Sequence, residues 1–123
     1  MVFRKLEIYQ VAYELFLKTH RTSFKLPKYE LYELGSQLRR SSESVVANIV
    51  EGYGRNRYKQ EYIRFLVFSH SSNNETFLHL EEIIDLYPKT SEPFKELQTQ
   101  YDILGARINK YIQYVEKNWN DFK

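Results

Sequence analysis

The sequence contains no cysteine, which excludes a disulfide framework and thiolate chemistry. No run of apolar residues approaches the roughly 18 that a membrane-spanning helix needs. Nothing near the N-terminus resembles a signal peptide, because Arg4, Lys5 and Glu7 are not followed by an apolar run. We therefore expect a cytoplasmic protein with one domain, residues 1–123, which is long enough to close a core without a metal or disulfide.

A large excess of charge of one sign is also lacking. The formal net charge of +2 is too small to indicate nucleic-acid binding by itself. The charge is unevenly distributed, however, because residues 1–64 carry twelve basic and seven acidic side chains, whereas residues 65–123 carry six and nine. The tightest basic cluster is Arg55, Arg57 and Lys59. This cluster is either an ordinary solvated loop or a surface that binds an anion.

Apolar residues recur with the period of helices, and no strand pattern competes with it. Four helical segments are separated by short links, which favours antiparallel neighbours. The sequence therefore predicts an all-α fold, an up-down-up-down antiparallel four-helix bundle. The predicted helices cover about Lys5–Ser23, Ser36–Arg55, Arg57–Leu86 and a last segment that begins near Pro93.

The helix ends are predicted from capping and helix-breaking residues. Ser36 is the predicted N-cap of the second helix, and Gly52-Tyr53-Gly54 is its predicted stop. Pro88 halts the third helix, and Pro93 suits the first turn of the last helix, after a cap at Ser91.

The second helix carries two different stripes. With about 100° of rotation per residue, Leu34, Leu38, Val45 and Ile49 share one apolar face. A polar ribbon lies beside this face at spacings of three and four residues, which is typical of a helix that forms specific hydrogen bonds. The ribbon consists of Gln37, Arg40, Ser41, Ser44, Asn48 and Glu51.

The third helix has a small and polar stretch in the middle of its core face, at Ser69, Ser72, Asn73 and Thr76. Small side chains let two helices approach closely, and their buried polar groups must then find partners, because an unmatched one costs about 1–3 kcal/mol. We predict a polar seam that fixes the register of helices two and three, or that orders an adjoining subunit interface. A ligand or nucleic-acid site is the alternative. The predicted seam residues are Gln37, Ser44, Asn48, Glu51, Ser72 and Glu75.

Aromatic residues are plentiful, with 11 tyrosines and 8 phenylalanines. Several of them, including Tyr9, Tyr13, Tyr114 and Trp119, lie outside the predicted core stripes. Exposed aromatic groups on a small domain are often interface material, which favours an oligomer.

These residues resemble a family of bacterial four-helix-bundle proteins named for reading frames found in intervening sequences of 23S ribosomal RNA genes. The family pattern has Pro and Glu before helix two, then Gln, paired basic residues, small residues, Ser, Asn-Ile and Glu-Gly. Helix three carries Phe-Leu and an Ala-x-Gly-Ser-x-x-Glu stretch, in which this sequence has Ser69 and Ser71 in place of Ala and Gly. The matching residues are Pro27, Glu30, Leu34, Gln37, Arg39, Arg40, Ser41, Ser42, Ser44, Asn48, Ile49, Glu51, Gly52, Arg55, Phe65, Leu66, Ser72 and Glu75.

The resemblance implies a homopentameric barrel. It also implies similarity to the accessory protein of diversity-generating retroelements, which binds nucleic acid and a reverse transcriptase. Five copies would gather about fifteen positive charges from Arg55, Arg57 and Lys59 around one ring, as phosphate binding requires. We therefore predict a non-enzymatic homo-oligomer that binds RNA or DNA through these three residues, with Arg39 and Arg40 in a secondary role.

Two other functions stay open. One is a protein-interaction module without nucleic-acid affinity, which would dock a partner through exposed aromatic residues. The other is a helical ribonuclease of the HEPN type, with Arg64 and His70 as its acid–base pair. Six positions along a regular helix turn these two side chains about 120° apart, so their convergence on one phosphate would need a distorted helix or a second subunit.

Glu75, His79 and Glu82 lie on one helix face at spacings that some metal sites use. No second histidine-bearing helix supplies further ligands, so we predict a solvated face. Neither a metal, another cofactor nor a small-molecule substrate is expected.

Overall fold

The structure is a computed structural model that describes residues 2–122. Four long helices form the body of the protein. The predicted all-α four-helix bundle is confirmed. The long helices are α1 (Glu7–Ser23), α2 (Leu34–Tyr53), α3 (Lys59–Leu86) and α4 (Glu92–Lys117). A short helix α5 (Trp119–Phe122) follows, and 3-10 helices cover Val2–Lys5, Lys28–Glu30 and Pro88–Thr90.

Each long helix packs against its neighbour in sequence, and α1 also packs against α4, so the four helices close into a ring. Neighbouring helices run antiparallel. Between α2 and α3, for example, Val45 contacts Ser69 whereas the earlier Ser41 contacts the later Thr76. This order of contacts gives the predicted up-down-up-down topology.

The hydrophobic core follows the apolar stripes of the sequence. Leu38, Val45 and Ile49 of α2 are fully buried, as their spacing predicts. Along α4, residues at alternating steps of three and four supply the facing side of the core, among them Leu97 and Leu104. Within residues 2–122, no helix combines the length and the apolar character that a membrane span requires.

The predicted cap at Ser36 is wrong. Helix α2 begins two residues earlier, at Leu34, and Glu33 at the N-cap position makes no side-chain capping hydrogen bond. Gly35 lies in the first turn, where a Cβ atom would be 3.0 Å from Nη1 of Arg39. The beginning of α2 is therefore set by tertiary packing rather than by a local serine cap.

The other predicted helix ends agree better with the structure. Helix α2 ends at Tyr53 with Gly54 as its C-cap, which confirms the glycine stop. Ser91 occupies the N-cap position of α4, but its hydroxyl donates to the carbonyl of Pro88 instead of capping the helix.

Two tyrosines are fully buried inside the bundle. The hydroxyl of Tyr101 lies 2.8 Å from Oγ1 of Thr19, and the hydroxyl of Tyr62 lies 2.8 Å from that of Tyr111. Burial raises the pKa of Tyr101 to about 12, although its hydrogen bonds act in the opposite direction. Burial also raises the pKa of Tyr62, and its hydrogen bond to Tyr111 raises it further.

We expect the protein to lose stability as the pH rises from about 10 to about 12. A tyrosine in the unfolded chain ionises near pH 10, whereas Tyr101 in the folded chain stays protonated to a higher pH, so ionisation favours unfolding across this interval. Thermal unfolding followed by circular dichroism, together with tyrosinate absorbance, measures the effect. In Tyr101→Phe the melting temperature should fall less steeply over this interval; an unchanged slope would contradict the assignment.

Candidate nucleic-acid interface and polar seam

Hydroxyl groups fill the contact between α2 and α3. Because these side chains are small, the two helices pack closely, and hydroxyl groups on one helix reach partners on the other. Three hydrogen bonds cross the contact. They join Ser69 Oγ to the carbonyl of Val45 at 2.7 Å, Ser44 Oγ to Ser72 Oγ at 2.9 Å, and Thr76 Oγ1 to Ser41 Oγ at 2.9 Å.

The structure brings three of the six predicted seam residues together. The amide nitrogen of Asn48 donates to the carbonyl of Ser44 at 2.9 Å and to its hydroxyl at 3.0 Å, while the same hydroxyl meets Ser72. Glu51 lies outside this network, because its carboxylate forms an exposed ion pair with Arg55 at 2.8 Å. Asn48 therefore holds the Ser44 hydroxyl in position for its hydrogen bond with Ser72. Glu51 instead forms part of the C-terminal end of α2.

The other two predicted seam residues, Gln37 and Glu75, line a groove between α2 and α3 together with Arg40. At the groove, the Nε2 atom of His79 lies 3.5 Å from Glu75, and its Nδ1 atom lies 3.0 Å from Glu82. The His79 side chain is only 11% exposed, so the predicted solvated face is wrong at this residue. It is buried because it follows Thr76 by one helical turn on the side that packs against α2.

Among the described residues, no cluster of histidine, aspartate and glutamate side chains has the arrangement of a metal site. The two possible ribonuclease residues are also separated. Arg64 lies over the ring of Phe68 at 5.3 Å and pairs with Glu61 at 3.5 Å, whereas His70 lines a groove between α3 and α4. No shared acid–base site forms between them.

The turn between α2 and α3 carries the predicted basic cluster. The guanidinium of Arg55 lies 4.4 Å from the ring centroid of Phe65 and donates to the carboxylate of Glu51, which orders the side chain while leaving 42% of it exposed. Arg57 is exposed, and Lys59 begins α3 half-buried. An ordered arginine beside an exposed arginine and a half-buried lysine is suited to contact a phosphate group.

Two further groups lie at this end of the bundle. Tyr58, inside the turn, is 62% exposed. Because α1 and α2 are antiparallel neighbours, the segment before α1 lies at the same end, and it carries the exposed Arg4 and Lys5. We call these residues the turn surface: Arg4, Lys5, Arg55, Arg57, Tyr58 and Lys59.

The adjacent arginines of α2 have different environments. Arg39 donates through Nη1 to the hydroxyl of Ser23 at 2.8 Å and through Nη2 to the carbonyl of Leu31 at 2.7 Å. Its guanidinium also lies 5.1 Å from the ring centroid of Phe24. Arg40 is exposed on the other flank of the helix. Arg39 therefore joins the end of α1 and the following loop to α2, which removes it from the candidate interface.

A ladder of six aromatic rings follows α1 on one flank, and only two of its members were singled out from the sequence. Neighbouring ring centroids are 5.0–6.5 Å apart. Spacings of three and four residues, which place side chains on one helix face, could have revealed it. The rings of this aromatic ladder belong to Phe3, Tyr9, Tyr13, Phe16, His20 and Phe24.

The expectation that aromatic residues would be exposed is correct for Tyr13 and Tyr114, which are 43% and 46% exposed. It is wrong in part for Tyr9 and Trp119, which are half-buried and pack against the core. Phe24, at one end of the aromatic ladder, is 57% exposed.

Comparisons with known proteins identify the family. Among solved structures, a protein of unknown function from the S23 ribosomal protein family of Bacteroides thetaiotaomicron VPI-5482 has a similar fold, with a TM-score of 0.72 and 20% sequence identity. The similarity covers 85% of this chain and 97% of that one. No functionally curated protein matches. The family model described as 23S rRNA-intervening sequence protein matches residues 4–110, and the chain therefore belongs to this family.

Proposed function

We propose that the protein is a non-enzymatic, homo-oligomeric scaffold that binds the phosphate backbone of RNA or DNA through the turn surface. The observation that carries this proposal is the concentration of cations in one short turn, where Arg55, Arg57 and Lys59 occupy alternate positions beside the exposed Tyr58. Positive groups that contact phosphates release bound counterions, and an exposed ring can stack on a base.

The order of Arg55 supports a binding role for the turn. Its contacts with Phe65 and Glu51 restrict the side chain before any ligand arrives, so less conformational entropy is lost on binding. The ion pair with Glu51 is exposed and weak, so it competes little with a phosphate.

Assembly of several copies would strengthen this modest charge. The aromatic ladder offers an apolar surface on which copies of the chain can associate, and the family resemblance implies a pentamer. Five turn surfaces on one particle would bind a long nucleic acid at several points, and linked contacts bind more tightly than single ones. The scaffold function therefore depends on the aromatic ladder for assembly and on the turn surface for binding.

Replacing Arg55, Arg57 and Lys59 together with serine should weaken the binding of a generic single-stranded RNA by at least about tenfold at low salt. The loss follows because three phosphate contacts per chain disappear. Fluorescence anisotropy of a labelled RNA, titrated at several salt concentrations, measures the affinity and its salt dependence. The wild type should bind less tightly as salt rises, and the variant should show a shallower dependence.

The matched control replaces three exposed lysines at the opposite end of the bundle, Lys25, Lys28 and Lys89, with serine. This control removes the same charge but should retain most of the affinity. Light scattering on the same samples gives the mass of the particle. Absence of RNA binding at low salt, equal loss in the control, or a monomeric wild type would contradict the proposal.

A second function, docking of a protein partner, is favoured by the aromatic ladder. Such a module would bind its partner through apolar contacts, which salt does not weaken as it weakens phosphate contacts. A complex that survives high salt and is lost when the exposed Tyr13 and Phe24 are replaced by serine would support this function over the first.

A further inference from the structure

The aromatic ladder lies on the side of the bundle that α1 and α2 form, which we call the ladder side. Its last ring, Phe24, lies 5.1 Å from the guanidinium of Arg39, a residue of α2, so the row of rings follows the flank of α1 that faces α2. Tyr13 and Phe24 are 43% and 57% exposed. A continuous row of partly exposed rings is typical of a surface that contacts another protein.

The opposite side of the bundle, formed by α3 and α4, is concave. Because the four helices close into a ring, this groove side lies across the bundle from the ladder side. A groove of about 430 Å³ separates α3 from α4 there. The half-buried ring of Phe77 lines it, together with the exposed Asn74, Asp102 and Ala106. The chain therefore presents a ridge of rings on one side and a groove on the other.

The inner wall of the groove is closed by packing. Asn73 is 2% exposed, and its Nδ2 atom donates to the carbonyl of Tyr101 at 2.8 Å. Its Oδ1 atom is buried and has no hydrogen-bond partner within residues 2–122. A molecule that enters the groove therefore meets its outer residues, as a docked protein surface does.

The groove and the ladder lie at the same height of the bundle. The hydroxyl of Tyr101, which lines the groove, lies 2.8 Å from Oγ1 of Thr19 in α1. Because α1 and α4 run antiparallel, the groove residues that follow Tyr101 lie level with earlier residues of α1, where Phe16 and Tyr13 belong to the ladder. A second copy placed alongside in the same orientation therefore brings its ladder to this groove without a shift along the helix axis.

The two sides carry opposite charge at the end of the bundle that is remote from the turn surface. On the ladder side, residues 18–43 carry six basic and three acidic side chains. On the groove side, residues 75–102 carry two basic and seven acidic side chains. Arg21 and Asp85 are exposed examples of the two signs. Opposite potentials on two surfaces favour their association and fix its orientation.

These charges decide which sides can meet. Packing ladder on ladder would join two positive sides in either orientation, because residues 1–64 carry twelve basic and seven acidic side chains. Packing ladder on groove with one copy reversed would bring residues 18–43 against residues 103–117, which carry three basic and one acidic side chain. Only the ladder on the groove of a copy that points the same way pairs opposite charges.

We propose that the partner of the aromatic ladder is a second copy of this chain, which receives the ladder in its groove between α3 and α4 while pointing the same way. Each exposed ion pair contributes little by itself, so the rings supply the affinity and the summed charge selects the arrangement. The two contact surfaces differ, so every docked copy offers a free surface to the next one, and association is head-to-tail.

This inference rests on the homo-oligomer of the proposed function and adds its contact surfaces and orientation. Because all copies point the same way, their turn surfaces lie on one edge of the assembly. A nucleic acid can then contact several turn surfaces at once, which strengthens its binding.

Two complementary variants test the contact. The ladder variant carries Tyr13→Glu and His20→Glu, and the groove variant carries Asn74→Glu and Ala106→Glu, all at exposed positions. Each variant places two carboxylates where docking would remove their water, which is unfavourable. By light scattering, each variant alone should be a monomer. Their mixture should form a complex of one copy of each, because the groove variant keeps a ladder and the ladder variant keeps a groove.

The matched control adds the same charge to the two remaining sides of the bundle. Gln37→Glu lies between α2 and α3, and Gln100→Glu lies between α1 and α4, so together they should leave the mass of the wild-type particle unchanged. Circular dichroism verifies that every variant is folded. A groove variant that remains assembled would overturn the proposal, as would two monomeric variants that do not pair when mixed.

The orientation is tested by cross-linking, since the chain has no cysteine of its own. The groove variant carries Arg21→Cys, and the ladder variant carries either Asp85→Cys or Gln60→Cys, which lie about 37 Å apart along α3. A short bifunctional thiol reagent should join the mixed pair that contains Asp85→Cys and should not join the pair that contains Gln60→Cys. Any other outcome overturns the arrangement in which both copies point the same way.

RNA titrations distinguish this inference from the proposed function. Ladder and groove variants that keep the wild-type mass and the salt-dependent binding of RNA would overturn the docking arrangement and leave the scaffold intact. Pairing of the two variants, without any RNA binding by the wild type, would do the opposite. A monomeric wild type overturns both.

Discussion

Replacing Ser69 with leucine should lower the free energy of unfolding by about 3 kcal/mol. Ser69 is fully buried in the contact between α2 and α3, with its hydroxyl 2.7 Å from the carbonyl of Val45. A leucine cannot fit there unless the two helices move apart, and that movement would also stretch the hydrogen bond between Ser44 and Ser72. Urea denaturation followed by circular dichroism measures the loss.

Two control variants separate the effect of losing the Ser69 hydroxyl from the effect of adding volume to the helix contact. Ser69→Ala removes the same hydroxyl but adds no volume, so it should cost only about 1 kcal/mol. Ser71→Leu adds the same volume at an exposed position two residues away and should change stability by less than about 0.5 kcal/mol. If Ser69→Leu is as stable as Ser71→Leu, close helix approach at the polar seam does not set the register.

The fold was predictable because it depends on periodic features. The spacing of Leu38, Val45 and Ile49 placed the core face of α2, and Gly52-Tyr53-Gly54 placed its end. The start of α2 was not predictable from a capping rule, because Gly35 packs against Arg39 and Glu30 and brings the residues before Ser36 into the helix. Tertiary contact outweighed the local preference of a serine for the cap position.

The sites were less predictable because they depend on which neighbour a side chain meets. Helical spacing placed Ser44 and Asn48 on one polar ribbon, and the structure brings them to Ser72. The same spacing could not show that His79 is buried between two carboxylates. Nor could it show that Asn73 keeps an unsatisfied oxygen, since this depends on the backbone of α4 at Tyr101.

Arg39 and Arg40 show this dependence most clearly, because the sequence alone predicts the same secondary role in nucleic-acid binding for both. In the structure, Arg39 joins three segments of the chain, whereas Arg40 projects from the surface. One position along a helix rotates the side chain by about 100°, which is enough to move it from the flank facing α1 to the flank facing α3.

Arg39→Ala should therefore lower the free energy of unfolding by about 2 kcal/mol, because hydrogen bonds from a charged group are lost and the carbonyl of Leu31 loses a partner. Arg40→Ala, the matched control, should change stability by less than about 0.5 kcal/mol. Thermal and urea denaturation of the two variants beside the wild type measure the difference.

Arg39→Lys tests whether the geometry of the guanidinium or its charge alone provides the stability that is lost in Arg39→Ala. A lysine keeps the positive charge but cannot bond Ser23 and Leu31 through two separate nitrogens while stacking a flat group on Phe24. It should recover less than half of the stability lost in Arg39→Ala. If lysine restores full stability, or if Arg40→Ala is as destabilising as Arg39→Ala, then the two-pronged contact of Arg39 does not hold the end of α1 to α2. Equal destabilisation by Arg39→Ala and Arg40→Ala would mean that the two arginines are equivalent surface charges, as the sequence alone predicts.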